Sequence, residues 1–176
     1  MKLEPEVEVI WRAFELRPEP VPTLDPQGDY LQRAWSASVY PLARRLGVEM
    51  KLPPLQPRSR LAHEAARWAR TRGRFDDYHA SVFRAFFERG EDIGDAKILT
   101  ALATELEMES DSLRSALETR EFEKDVLEDE SEAEALGVTG VPAFIANRRV
   151  ALSGVQSALD LKRLIEHART LAANAS

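Results

Sequence analysis

The chain opens on a segment in which apolar side chains occupy both sets of alternating positions. Between Glu6 and Leu16 these residues are Val7, Val9, Ile10, Trp11 and Phe14. An extended segment that is apolar on both faces is typical of a strand covered by helices on both sides of its sheet. The pattern therefore predicts a β-strand over residues 6–16. A proline-rich loop ends it, because proline removes backbone donors and fixes φ.

A helical block follows, from about residue 29 to residue 136. Apolar side chains recur there every three or four residues, which places them on one face of an α-helix, and glycine-containing breaks divide the block into five or six helices. We expect Pro41 to kink the first of them. One helix carries an aromatic stripe that we interpret as core packing rather than as the lining of a pocket: Phe75, Tyr78, Phe83 and Phe86.

The pattern changes abruptly at Gly137. Residues 137–142 read Gly-Val-Thr-Gly-Val-Pro, and two short apolar runs then flank the turn residues Asn147 and Arg148, which predicts a β-hairpin. Ser157 opens the final helix with a capping box. The predicted order is thus a strand, a helical block, a hairpin and a helix.

Composition excludes several kinds of function. The 176 residues carry a formal net charge of −6, which argues against binding to phosphate backbones. No window is apolar enough to span a membrane, and the first residues have no signal-peptide core, so we expect a cytoplasmic protein. The sequence contains no cysteine, and so it has no disulfide, no thiolate nucleophile and no cysteine-based metal site.

The remaining polar residues do not predict a catalytic or metal site. His63, His79 and His167 lack the spacing of metal ligands, and the acidic run over residues 121–134 is interpreted as a solvated helix face. Ser153 lacks the surrounding pattern of a nucleophile. We therefore assign no catalytic residue, no metal and no cofactor.

Three dispersed stretches of the sequence resemble the DsbA-like thioredoxin-fold family. Residues 137–144, followed by 152–156, are similar to the family's cis-proline segment and to the exit of its hairpin. Residues 11–16 with the proline-rich loop, and residues 86–95, resemble the FrnE-type branch. The resemblance runs from Glu6 to about Ala168, with the stretches in the family's order.

The resemblance implies an α/β, thioredoxin-like fold of the DsbA type in a single domain over residues 1–176. Residues 6–16 and 137–173 would form its thioredoxin-like part, and about 29–136 its helical insertion. The family begins with a strand, a Cys-x-x-Cys motif and a helix that have no counterpart here. We therefore expect an N-terminally truncated member without the first, central strand and the first helix.

Three functions stay open on the sequence alone. The chain is a redox-inactive member of an oxidoreductase family, or a peptide-binding module, or a relative of the glutathione-dependent isomerases and transferases that takes a small thiol. In the family, the residue before the cis-proline pairs with the backbone of a bound polypeptide. The resemblance thus makes Val141 and Pro142 the substrate-binding residues, with the bond between them cis.

The expected loss of the central strand predicts unpaired backbone at two strand edges. Buried backbone groups without partners are costly, and exposed edges invite pairing with another chain. The predicted strand over residues 6–16 could pair directly with Ala143–Ile145, a partner chain could supply a strand, or the gap could stay open. We expect direct pairing or a homodimer, because the first strand is so apolar.

Overall fold

The computed structural model describes residues 7–174, which form two compact units. The terminal unit includes residues 7–16 and 128–174, and the helical unit is residues 17–127. The elements in the described residues are, in chain order, α1 (Asp29–Ala34), α2 (Tyr40–Leu46), α3 (Arg60–Thr71), α4 (Phe75–Arg84), α5 (Ala96–Glu105), α6 (Ser110–Glu118), α7 (Glu123–Ala135), β1 (Ala143–Ala146), β2 (Val150–Ser153) and α8 (Ala158–Ala173). None of the described helices is both long and apolar enough to cross a bilayer.

The core of the helical unit lies between α3, α4, α5 and α6. Its largest buried apolar side chains include Trp68, Tyr78, Leu99, Leu102 and Leu113. Alanines on the buried face of α3 let the neighbouring helices approach closely. The Tyr78 hydroxyl donates to the Leu99 carbonyl oxygen at 2.8 Å, and burial raises the pKa of Tyr78. This polar group is therefore satisfied inside an apolar core.

Two short π-helical segments interrupt the regular helices of this unit. One, Trp35–Val39, joins α1 to α2, and the other, Ala85–Arg89, extends α4. The first lies directly before Pro41, which cannot donate a backbone hydrogen bond, so the break falls next to the predicted kink. The rings of Trp35 and Phe87 lie 6.2 Å apart, which brings the two segments together.

The aromatic stripe divides between two faces of α4. Tyr78 is fully buried, but Phe83 is half exposed. Phe75, His79, Phe83 and Phe87 form a column along the helix, with successive ring centroids 4.8 to 5.7 Å apart. Residues four apart share a helix face, and the column lies beside the buried face rather than on it. The interpretation as core packing is therefore correct for Tyr78 and wrong for Phe83.

The predicted strand over residues 6–16 is wrong for the residues that the structure describes, which exclude Glu6. Residues 7–16 form no strand, and the sheet in the described part of the chain is the antiparallel pair β1 and β2. Direct pairing of this segment with Ala143–Ile145 does not occur. The backbone N–H of Ala13 donates instead to the Asp129 carboxylate at 2.8 Å. A helix side chain thus takes the place that a neighbouring strand would have.

The position of His79 between Phe75 and Phe83 makes stability depend on pH. Burial lowers the pKa of His79; Asp76 opposes this shift and Arg70 adds to it. Because the folded state then holds fewer protons than the unfolded state, the free energy of unfolding should fall as pH drops below about 6.5. The replacement His79→Gln should reduce the slope of the free energy of unfolding against pH. Urea denaturation at several pH values between 7.5 and 5 measures this slope.

The same substitution at His167, an exposed residue of α8, is the control for the loss of a histidine side chain. Equal slopes in wild type and His79→Gln would show that His79 does not titrate differently in the two states.

Candidate functional site

The predicted substrate-binding residues lie in the turn that connects α7 to β1. Gly137, at φ +73°, ends α7 in a left-handed conformation that a residue with a side chain rarely adopts. The Val141–Pro142 peptide bond is cis. The Val141 side chain is 49% exposed, so it faces solvent immediately before the strand begins.

The loop after β2 fixes the other side of this turn. The Gly154 N–H donates to the Pro142 carbonyl oxygen at 2.8 Å. The Gln156 side chain donates to the carbonyl oxygens of Ser153 and Gly154, at 2.6 and 3.1 Å. Ser157 caps α8 by accepting from the Asp160 N–H at 3.1 Å. Consecutive residues of this loop are therefore held by hydrogen bonds while Val155, 59% exposed, points outward.

Strand pairing decides which backbone groups of β1 face outward. Antiparallel pairs alternate between residues that bond each other and residues whose N–H and C=O point away. Pro142 bonds Gly154, and the register pairs Phe144 with Leu152, so Phe144 belongs to the bonded set. Ala143 and Ile145 then direct their backbone groups to the opposite edge. In the described residues this edge pairs with no strand.

A charge network holds α7 to the segment before the helical unit and to the tip of the hairpin. The buried Asp129 carboxylate accepts from Arg12 at 2.9 Å and from the Ala13 N–H at 2.8 Å. One turn further on, Glu132 accepts from the side chain of Arg148 at 2.8 Å, and it lies 3.6 Å from Arg12. Since Arg148 lies in the hairpin turn, these contacts fix β1 relative to α7.

Comparison with known proteins shows the family to which this fold belongs. Residues 1–166 match the pattern of the DSBA-like thioredoxin domain. The chain belongs to that family. It is 41% identical over 144 residues to the uncharacterised protein YwbO of Bacillus subtilis, covering 80% of this chain and 72% of the relative.

The fold of this DSBA-like domain is also found in a solved structure. A crystal structure of a probable DsbA oxidoreductase from Streptomyces coelicolor superposes with a TM-score of 0.77, covering 94% of this chain and 76% of that chain. At 23% identity, the likeness concerns the fold. The predicted DsbA-type, thioredoxin-like fold with a helical insertion is thereby confirmed.

The site of this DSBA-like domain offers backbone hydrogen bonds and apolar contacts. No three His, Asp or Glu side chains among residues 7–174 are arranged to hold a metal ion. The structure places Val141 and Pro142 together in one turn. Sequence reasoning did not identify two features beside this turn, the exposed Val155 and the outward edge of β1 at Ala143 and Ile145. The register of the hairpin, which no single segment encodes, decides the second.

The buried Asp129 carboxylate should stabilise the DSBA-like domain measurably. The change Asp129→Ala leaves the Ala13 N–H without its acceptor and Arg12 without its nearest carboxylate. We expect a loss of about 1–3 kcal/mol in the free energy of unfolding, measured by urea denaturation. Asp125→Ala is the control, since Asp125 lies exposed on the same helix and its removal changes the net charge equally. Equal effects of the two changes would contradict the assigned role.

Proposed function

We propose that this DSBA-like domain holds an extended polypeptide at its Val141–Pro142 turn and does not itself carry out thiol–disulfide exchange. The observation that carries the proposal is the turn itself. Val141 is half exposed there, while hydrogen bonds from Gly154 and Gln156 fix the backbone beside it. A surface that is exposed and rigid loses little conformational entropy when a partner binds.

Polypeptide binding and thiol–disulfide exchange, the two activities in this proposal, have different chemical requirements. Thiol–disulfide exchange proceeds by attack of a thiolate on a disulfide sulfur, so it needs a cysteine. The 176 residues contain none. An attacking thiolate would have to come from outside these residues, whereas polypeptide binding by backbone groups and a valine side chain requires no thiol.

The proposal also places the chain in the FrnE-type branch of the family. Support comes from residues 11–16 with their proline-rich loop and from residues 86–95, which resemble that branch. In the structure, Arg58 connects the proline-rich loop to the start of α3 by donating to the carbonyl oxygens of Arg17 and Val21. Side-chain hydrogen bonds thus hold this loop against the helical unit.

The purified chain should show no thiol–disulfide exchange. In an insulin reduction assay with dithiothreitol, turbidity should develop at the rate of dithiothreitol alone, since no protein thiolate is present to attack the disulfide. Oxidation of a reduced, unfolded protein should likewise be no faster with the chain than without it. Exchange activity that persists after thioredoxins have been removed from the sample would contradict the proposal.

Peptide binding should depend on Val141. The probe is a fluorescein-labelled, cysteine-free ten-residue peptide of alternating valine and threonine, followed by fluorescence anisotropy. Val141→Asp should weaken binding roughly tenfold, because it replaces the apolar contact of one partly buried valine by a charge.

Val48→Asp is the matched control, since Val48 is 51% exposed in the helical unit. It introduces the same charge at an equally exposed valine and should leave the affinity unchanged. Equal affinities of wild type and Val141→Asp would remove the turn from the binding site.

A further inference from the structure

We infer that one half of an aromatic row on the helical unit binds an extended, proline-containing segment of another polypeptide. The row consists of six rings, those of Phe75, His79, Phe83, Phe87, Trp35 and Tyr40. It lies in the helical unit, whereas the Val141–Pro142 turn lies in the terminal unit. The row is therefore a second binding surface, beyond the one in the proposed function.

The six rings form one continuous surface. From Phe75 to Tyr40, the centroids of successive rings lie 4.8 to 6.2 Å apart. Arg70 lies over the Phe75 end, with its guanidinium carbon 4.4 Å from the centroid of that ring. Apolar side chains that are exposed singly need no partner, but a continuous row of rings is a site on which a partner can pack.

One half of the row, formed by Phe87, Trp35 and Tyr40, is already contacted by a proline-containing segment of the chain itself. Residues 51–57 read Lys-Leu-Pro-Pro-Leu-Gln-Pro and lie in no helix or strand. The N–H of residue 51 donates to the Phe87 carbonyl oxygen at 2.9 Å, and the N–H of residue 52 donates to the Tyr40 hydroxyl at 3.2 Å. We call these three rings the covered half.

The prolines of this segment are closely packed. Pro53 is fully buried, and a Cβ atom on Gly90 would lie 2.8 Å from the Pro54 ring. Gly90 directly follows the π-helical segment that carries Phe87, so its missing side chain makes room for the proline. Proline-rich segments suit aromatic surfaces because they are extended before they bind and lose little conformational entropy. The covered half thus shows the kind of segment that the row accepts.

The open half of the row is formed by Phe75, His79 and Phe83. The first two are partly buried, and Phe83 is 50% exposed. The residues that follow them in α4 are all exposed and border the row on its solvent side: Asp76, Ala80 and Arg84. The small Ala80 side chain leaves room beside the rings. One acid and one base give this border no net charge, so an uncharged segment fits it.

Continuity between the two halves indicates the occupant of the open half. Phe83 lies 5.7 Å from Phe87, whose carbonyl oxygen accepts from the chain's own proline-containing segment. A segment of the same kind therefore meets the same kind of surface at Phe83. Charge disfavours a second copy of the chain as its source, because each copy carries a formal net charge of −6 and two copies repel each other.

The open half can be tested with a fluorescein-labelled peptide, Gly-Leu-Pro-Pro-Leu-Pro-Pro-Leu-Gly, followed by fluorescence anisotropy. The peptide should bind the wild-type chain, and Phe83→Ala should weaken binding about tenfold, because the peptide loses its contact with a half-exposed phenyl ring. Tyr30→Ala is the matched control, since Tyr30 is 67% exposed in the helical unit and lies outside the row. It should bind as wild type does, and so should Val141→Asp.

A second peptide, with alanine in place of every proline, tests whether the prolines are recognised. It should bind at least tenfold more weakly, since it is not held extended before it binds. Equal affinities for the two peptides would overturn the inference, as would the absence of binding by the proline peptide. Equal affinities of wild type and Phe83→Ala would also overturn it.

NMR of the wild-type chain locates the bound peptide without any substitution. The backbone amide signals of Ala80 and Phe83 should shift when the proline peptide is added, while those of Lys51 and Leu52 should not. Shifts confined to Lys51 and Leu52 would show that the peptide displaces the chain's own segment, and the inference would fail. It would fail too if the chain had twice its monomer mass and the Ala80 and Phe83 signals shifted on dilution, because a second copy would then occupy the row.

Discussion

The hydrogen bond from the Gly154 N–H to the Pro142 carbonyl oxygen is the first bond of the ladder that orients the backbone of β1. It shows which residues of β1 form backbone hydrogen bonds with β2 and which direct their N–H and C=O groups to the opposite edge. A register shifted by one residue would turn Phe144 and Ala146 outward instead of Ala143 and Ile145. It would also move every side chain of the strand to the opposite face. The backbone directions at the candidate site therefore depend on the register of the hairpin.

Polar side-chain contacts, rather than strand pairing, connect this hairpin and residues 7–16 to α7. Asp129 accepts the N–H of Ala13, and Glu132 binds Arg148 in the hairpin turn, so a single helix connects an extended segment with the hairpin. A buried carboxylate is costly to desolvate unless several donors surround it. Asp129 has both a guanidinium and a backbone N–H, and the arrangement is consistent with that requirement.

The parts of the fold that sequence could predict are those with local causes. The hairpin follows from turn residues at Asn147 and Arg148, both of which have positive φ, and the last helix follows from the cap at Ser157. Residues 7–16 were mispredicted because a β-strand forms only where another strand pairs with it. The alternation of apolar residues does not show whether such a strand is present. The cis bond between Val141 and Pro142 was predicted from family resemblance, whereas the outward edge of β1 depends on register, which no single segment encodes.

Under the proposed function, apolar contacts rather than backbone hydrogen bonds supply most of the affinity for a polypeptide. Two outward residues offer four backbone groups, each worth about 0.5–1.5 kcal/mol net when bonded. Association costs about 4–15 kcal/mol in lost freedom, so hydrogen bonds along four residues leave little net affinity by themselves. Exposed valines at positions 141 and 155, on either side of the Pro142–Gly154 pair, supply apolar area that the hydrogen bonds lack. Under the proposed function, backbone groups therefore orient the polypeptide, and the exposed valines provide most of the affinity.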